Sequence, residues 1–92
     1  MTIKHIFVVG AGTMGNGIAQ VAATAGYQAT CMDVQPAALE KAKAMIAKST
    51  AKLLEKGTLT QEQKTLADAI QFVTNMDTMK GTDLVIEAAT EN

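Results

Sequence analysis

Ile3-Lys4-His5-Ile6-Phe7-Val8-Val9-Gly10-Ala11-Gly12-Thr13-Met14-Gly15 is the stretch that decides the fold. Up to Val9 it is rich in β-branched and aromatic side chains, and glycine ends the run, which predicts a buried strand. Beyond the loop, Met14, Ile18, Val21, Ala22 and Ala25 fall on one stripe before Gly26. That pattern predicts a helix over 14–25 with a glycine stop. Gln28 to Met32 reads as a second strand, closing on Asp33. Strand, glycine loop, helix and strand within about thirty residues is the size of one βαβ unit.

The loop has the spacing G-x-G-x-x-G. Gly10 permits a tight turn off the strand, Gly12 lets a pyrophosphate approach the backbone, and Gly15 lets the helix pack close to the strand. The whole turn, Gly10, Ala11, Gly12, Thr13, Met14 and Gly15, is thus a candidate cradle for a dinucleotide. Unpaired N–H groups and the positive end of the helix dipole would meet its phosphates. Alone, such a loop can also be a tight structural turn. Asp33 strengthens the functional reading, because an acid about 20 residues on, at the end of strand two, can accept hydrogen bonds from the adenosine ribose hydroxyls. A carboxylate there repels a 2′-phosphate, and Val34-Gln35 brings no arginine to neutralise one, so NAD is favoured over NADP. Methyltransferases usually read G-x-G-x-G, which argues against S-adenosylmethionine. An FAD protein fits the loop but more often carries Glu at position 33, and Asp33 can also be a plain surface residue.

Further on, Pro36 stands where a helix tolerates proline, in its first turn. That helix runs to about Lys56 and stops at Gly57. Leu39, Ala42, Ile46, Ser49 and Leu53 fall on one face, with Lys41, Lys48 and Lys52 roughly opposite, as a solvated face. Thr60 and Gln63 form a capping box that opens a shorter helix. Gln71 to Thr74 is a weak strand, Met76 to Lys80 a turn or short helix, and Thr82 to Ala88 a strong strand. Alternating β and α with buried-type strands predicts a parallel sheet covered by helices on both faces. Four strands make the first half of a doubly wound Rossmann-type α/β sheet, with a helical arm added after strand two.

Ninety-two residues allow one domain, with a modest core. A net charge of -1 suggests neither nucleic acid nor an anionic membrane as partner. The apolar run before Gly10 is too short for a membrane span and lacks the cleavage-like region of a signal peptide, so a cytoplasmic location is expected. A single cysteine, Cys31, rules out an intrachain disulfide and a multi-cysteine metal site, and reads as a small core residue.

With the loop, Asp33 and the ending Asp83-Leu84-Val85-Ile86-Glu87-Ala88-Ala89-Thr90-Glu91-Asn92 in view, the chain resembles the N-terminus of 3-hydroxyacyl-CoA dehydrogenases, the bacterial 3-hydroxybutyryl-CoA enzymes above all. Gly10 to Gln20 carries the likeness well beyond the bare glycine pattern, and so does the long helix after strand two. The resemblance implies that Gly10 to Gly15 and Asp33 bind NAD. It also implies that Ala88 and Glu91, at and just past the end of strand four, reach the cofactor, Glu91 near the nicotinamide-side ribose. Glu87 would be structural, holding a loop by hydrogen bonds. On the arm, the resemblance implies coenzyme A contacts for Ser49 and Lys56, two turns apart on one helix face. Lys56 would equally suit a helix C-terminus without any ligand, for about 0.3–1 kcal/mol, and Ser49 a small slot on the apolar stripe.

The family's histidine base, its orienting glutamate, and the serine and asparagine near the substrate carbonyl lie beyond Asn92. So does the helical domain that completes the cleft for the acyl-CoA and forms the homodimer interface. His5, at the start of strand one, is remote from the cofactor end and is not that base. Residues 1–92 are therefore expected to be the N-terminal part of the NAD-binding domain, with no catalytic residue, inactive alone, and prone to self-associate through an uncovered strand four. Two other functions stay open: a non-catalytic NAD-binding module, and a related Rossmann dehydrogenase of small β-hydroxy acids.

Overall fold

In the computed structural model, which describes residues 3–88, β1 (His5–Val9) leads through the glycine loop into α1 (Thr13–Thr24) and back to β2 (Gln28–Met32). The arm α2 (Pro36–Glu55) and a short α3 (Gln61–Asp68) follow, then β3 (Gln71–Val73), a 3-10 turn at Met79–Gly81, and β4 (Leu84–Glu87). The four strands form one sheet in the order β3-β2-β1-β4, all parallel. Phe7 lies opposite Thr30 on one side and Val85 on the other.

Side chains alternate across a strand, so each strand serves two faces. Ile6, Val8, Ala29 and Cys31 point to one of them and pack on Ala19, Ala22 and Ala23 of α1 and Leu39, Ala42 and Ile46 of α2. The three α-helices touch one another on this face. Phe7, Thr30 and Met32 belong to the other face and are buried as well. The connection from β3 to β4 must pass β2 and β1, and right-handed crossovers put it on that second face. One face is thus roofed by α1, α2 and α3, and the other is crossed by the segment that carries the 3-10 turn.

Local chemistry fixes the element ends. Pro36 opens α2 at its first turn. Thr60 caps α3: its Oγ1 accepts from the Gln63 N–H at 3.1 Å, while Gln63 Oε1 accepts from the Thr60 N–H at 2.9 Å. After α1 and α2 the chain turns through Gly26 and Gly57, with φ of 105° and 80°, values that favour glycine. At the sheet's lower edge Asp83 Oδ2 accepts from the backbone N–H groups of Lys4 (2.8 Å) and His5 (2.9 Å). Those bonds, Lys4 first, hold its carboxyl below the usual carboxylate range.

Two helix faces differ from the sequence expectation. Met14 and Val21 of α1 are 61% and 67% exposed. The helix lies on the sheet through its alanines, so its larger side chains turn outward. With Ile6, Ile18, Tyr27 and Ile86 they line an apolar groove of about 600 Å³. On α2 it is Thr50, not Ser49, that is fully buried. Its hydroxyl donates to the Ile46 carbonyl at 2.8 Å, so no polar group is stranded. Among the described residues no helix is long and apolar enough to cross a membrane.

Candidate functional site

The glycine loop leaves β1 at the carboxyl end of the sheet. The Gly10 N–H donates to the Met32 carbonyl at 2.7 Å, which ties the turn to β2. Gly10 has a φ of 104°. A Cβ built on Gly15 would overlap the Gly10 carbonyl oxygen, so the close approach of α1 to β1 requires glycine there. Gly12 is different: a Cβ built on it meets nothing within 4 Å. It is the N-cap of α1, no side chain caps it, and no acid stands in the first turn. Among the described residues the first N–H groups of the helix therefore meet no side-chain acceptor, the arrangement that suits a bound anion.

Asp33 sits beside this opening, half-buried at the end of β2. Its Oδ2 accepts from the Ala11 N–H at 3.0 Å and its Oδ1 from the Gln35 N–H at 2.9 Å. An ionised carboxylate has about four acceptor positions, so two remain for hydroxyl donors. A cavity of about 250 Å³ adjoins it, lined by Val9, Gly10, Met32, Val34 and Met76 besides Asp33 itself. Sequence reasoning considered Asp33 as a ribose ligand or a plain surface residue; its bracing of the loop through Ala11 depends on a contact that only the folded chain makes. Behind the loop, the Cys31 thiol lies 3.7 Å from the Gly10 carbonyl oxygen. Burial pushes this thiol up to about 11, with the Asp33 charge adding to the effect, so it stays protonated and unreactive.

A second concave surface runs along α2. Met45, Lys48, Ser49, Lys52, Leu53 and Lys56 line a groove of about 390 Å³. Ser49 and Lys56 thus share one surface, as their spacing suggests. Lys48 and Lys52, expected on the opposite face, share it too. Steps of four residues keep 48, 52 and 56 within one stripe, while Ser49 lies a single step from Lys48. Met45 also lines a separate cavity of about 240 Å³ that is bordered by Ala11, Gly12, Thr13 and Lys41, so a second hollow lies between the arm and the glycine loop. From Lys41 to Lys56 the helix rises about 22 Å.

Two α1 residues touch α2 from beneath: Asn16 Nδ2 is 3.7 Å from Met45 Sδ, and Gln20 Nε2 donates to Ser49 Oγ at 3.1 Å. Sequence reasoning missed both. Their signal is a pair of amides four residues apart within a run of glycine, alanine and isoleucine.

Elsewhere the expectations meet mixed outcomes. His5 is half-buried, its Nε2 2.8 Å from Thr30 Oγ1, at the end of β1 away from the glycine loop. Glu87 is exposed, and no described hydrogen bond joins its side chain to a loop. Ala88 is buried, and its N–H donates to the Val9 carbonyl at 2.8 Å, next to the glycine turn. Glu91 lies outside the described residues. No group of three or more His, Cys, Asp or Glu among the described residues could hold a metal.

Known proteins share the sequence and the fold of this chain. Residues 5–92 match the family described as "3-hydroxyacyl-CoA dehydrogenase, NAD binding domain". A probable 3-hydroxybutyryl-CoA dehydrogenase of Deinococcus radiodurans is 45% identical over 92% of this chain and 31% of its own length. One from Bacillus subtilis is 42% identical over 100% of this chain and 32% of its own length. The crystal structure of (S)-3-hydroxybutyryl-CoA dehydrogenase from Ralstonia eutropha superposes with a TM-score of 0.90 at 46% identity, over 99% of this chain and 32% of that one. The chain spans about a third of the length of the curated relatives it matches.

Proposed function

This chain belongs to the NAD-binding domain family of 3-hydroxyacyl-CoA dehydrogenases, and from that premise we propose that it forms the cofactor-binding part of such an enzyme, acting on 3-hydroxybutyryl-CoA or a related acyl-CoA. The observation that carries the reading is the uncapped N-terminus of α1 beside the Asp33 carboxylate, two complementary groups for one dinucleotide. Gly10, Ala11, Gly12, Thr13, Met14 and Gly15 would hold the pyrophosphate. Asp33 would accept the adenosine ribose hydroxyls, with Ala88 and Glu91 toward the nicotinamide side. When bound, NAD supplies the hydride acceptor or donor that interconverts the 3-hydroxyl and the 3-ketone. Ser49 and Lys56 would take the phosphates of coenzyme A, and the two hollows that meet at Met45, one at Lys56 and one at Gly12, would set the direction of an extended thioester toward the cofactor.

The reading assigns no acid–base residue to residues 1–92, which would be inactive by themselves. The proton-transferring groups and a homodimer interface would belong to the part of the relatives' length that this chain does not span. A cytoplasmic location goes with it.

The test is titration of the chain with NADH and NADPH, followed by nucleotide fluorescence. NADH should bind more tightly, and Asp33→Ala should weaken it about tenfold and narrow the preference over NADPH, as loss of a charged hydrogen-bond partner requires. Asp33→Asn keeps an acceptor for the Ala11 N–H and separates loop bracing from ribose contact. Equal affinity for the two nucleotides, or none for either, would overturn the reading. A module that binds NADH but never coenzyme A would fit the alternative of a non-catalytic NAD-binding domain.

A further inference from the structure

Ser49 stands at the centre of the lysine-lined groove, and what it offers a ligand depends on its proton. A hydroxyl has one O–H to donate and lone pairs to accept with. A phosphate oxygen needs the O–H; a lone pair turned toward it would repel. Gln20 of α1, which is not among the residues lining the groove, donates its Nε2–H to Ser49 Oγ at 3.1 Å and so occupies one acceptor position of the hydroxyl. The neighbouring Thr50 spends its own proton on the Ile46 carbonyl. Ser49 makes no such bond among the described residues, so its O–H is left for the groove, where Lys48, Lys52 and Lys56 gather positive charge.

We infer that Gln20 is a positioning residue, holding the Ser49 hydroxyl as a donor toward a phosphate of coenzyme A. The inference rests on the arm reading above and adds to it a residue on a different helix. The same bond links α1, which begins at the glycine loop, to the arm, so that the two ligand-binding elements are set against each other by a directed contact. Gln20 touches no ligand itself and acts only through Ser49.

The experiment is calorimetric titration of this chain with coenzyme A, alongside Ser49→Ala, Gln20→Met, Gln20→Glu and the double variant Gln20→Met/Ser49→Ala. Ser49→Ala should weaken binding about tenfold, the loss of one hydrogen bond to a charged group. Gln20→Met keeps length and bulk without a donor, and should weaken it about three- to tenfold. Gln20→Glu offers only an acceptor, draws the Ser49 proton to itself, and should weaken binding at least as far as Ser49→Ala. The double variant should bind within about twofold of Ser49→Ala, because neighbours in one chain of bonds are not additive. NADH affinity should stay unchanged in every variant, a control that mispacking of α1 would fail. Wild-type affinity in Gln20→Met, full multiplication of the two single effects, or an equal loss of NADH affinity would each overturn the inference alone. A wild-type chain that binds NADH but no coenzyme A would overturn the arm reading, and the inference with it.

Discussion

Two glycines of one loop do different work, and single methyl groups tell them apart. On Gly15 a methyl overlaps the Gly10 carbonyl oxygen, a backbone atom already tied into the turn, so the helix or the strand must move. Gly15→Ala should destabilise the fold by about 3 kcal/mol, at the upper end of what overpacking costs. On Gly12 a methyl meets nothing within 4 Å among the described residues and intrudes on the space before the helix N-terminus. Gly12→Ala should cost stability about 1 kcal/mol or less, the difference between these residues as caps, yet weaken NADH binding about tenfold or more. Urea denaturation and NADH titration of the two variants check the pair. If Gly12→Ala bound NADH like the wild type, the pyrophosphate would not lie against that residue. Cys31 completes the picture: buried beneath the turn, it packs against the loop and burial favours its protonated form.

Elements were legible in the sequence wherever one local pattern decided them. The β1 run, the glycine stops at Gly26 and Gly57 and the Thr60–Gln63 box all describe what a segment does with its neighbours in the chain. Which face of an element is buried was less legible. Met14 and Val21 look like core by periodicity, yet alanines win the sheet because they allow a closer approach. Contacts distant in sequence could not be read at all: Gln20 to Ser49, Asp33 to Ala11, and Asp83 to the backbone at the start of β1. The last of these has a consequence for pH. Its carboxyl titrates below the ordinary value of 3.8 in the fold, so the folded state binds fewer protons than the unfolded chain there. The stabilisation from this clasp is complete above that value and is lost as pH falls through the lower, folded-state value. Asp83→Asn should therefore destabilise the chain at neutral pH and show a shallower loss of stability below pH 4. Urea midpoints of both proteins across the acid range would reveal it; parallel profiles would mean that the clasp does not couple to folding.

As a whole the molecule is a slab, 35 by 33 by 20 Å, with one long flank incompletely closed. Among the described residues β4 pairs only with β1, leaving its outer N–H and C=O groups without a strand partner. Leu84 and Val85 on that strand are 39% and 43% exposed, and Ile86 leads from it into the apolar groove that Met14 and Val21 border. An open strand edge continuous with apolar surface is a template for another chain. We expect this chain to self-associate in a concentration-dependent way, with the average sedimentation coefficient rising as protein is added. Val85→Lys puts a charge on the strand edge, and Val21→Glu puts one on the groove without touching the core. Each should shift the equilibrium toward monomer, and the pair together should abolish the rise. Should Val85→Lys alone suffice, strand pairing drives the contact; should Val21→Glu alone suffice, the groove does. One species at the monomer's rate over the whole concentration range would mean that neither surface is sticky enough to outweigh the entropy of association.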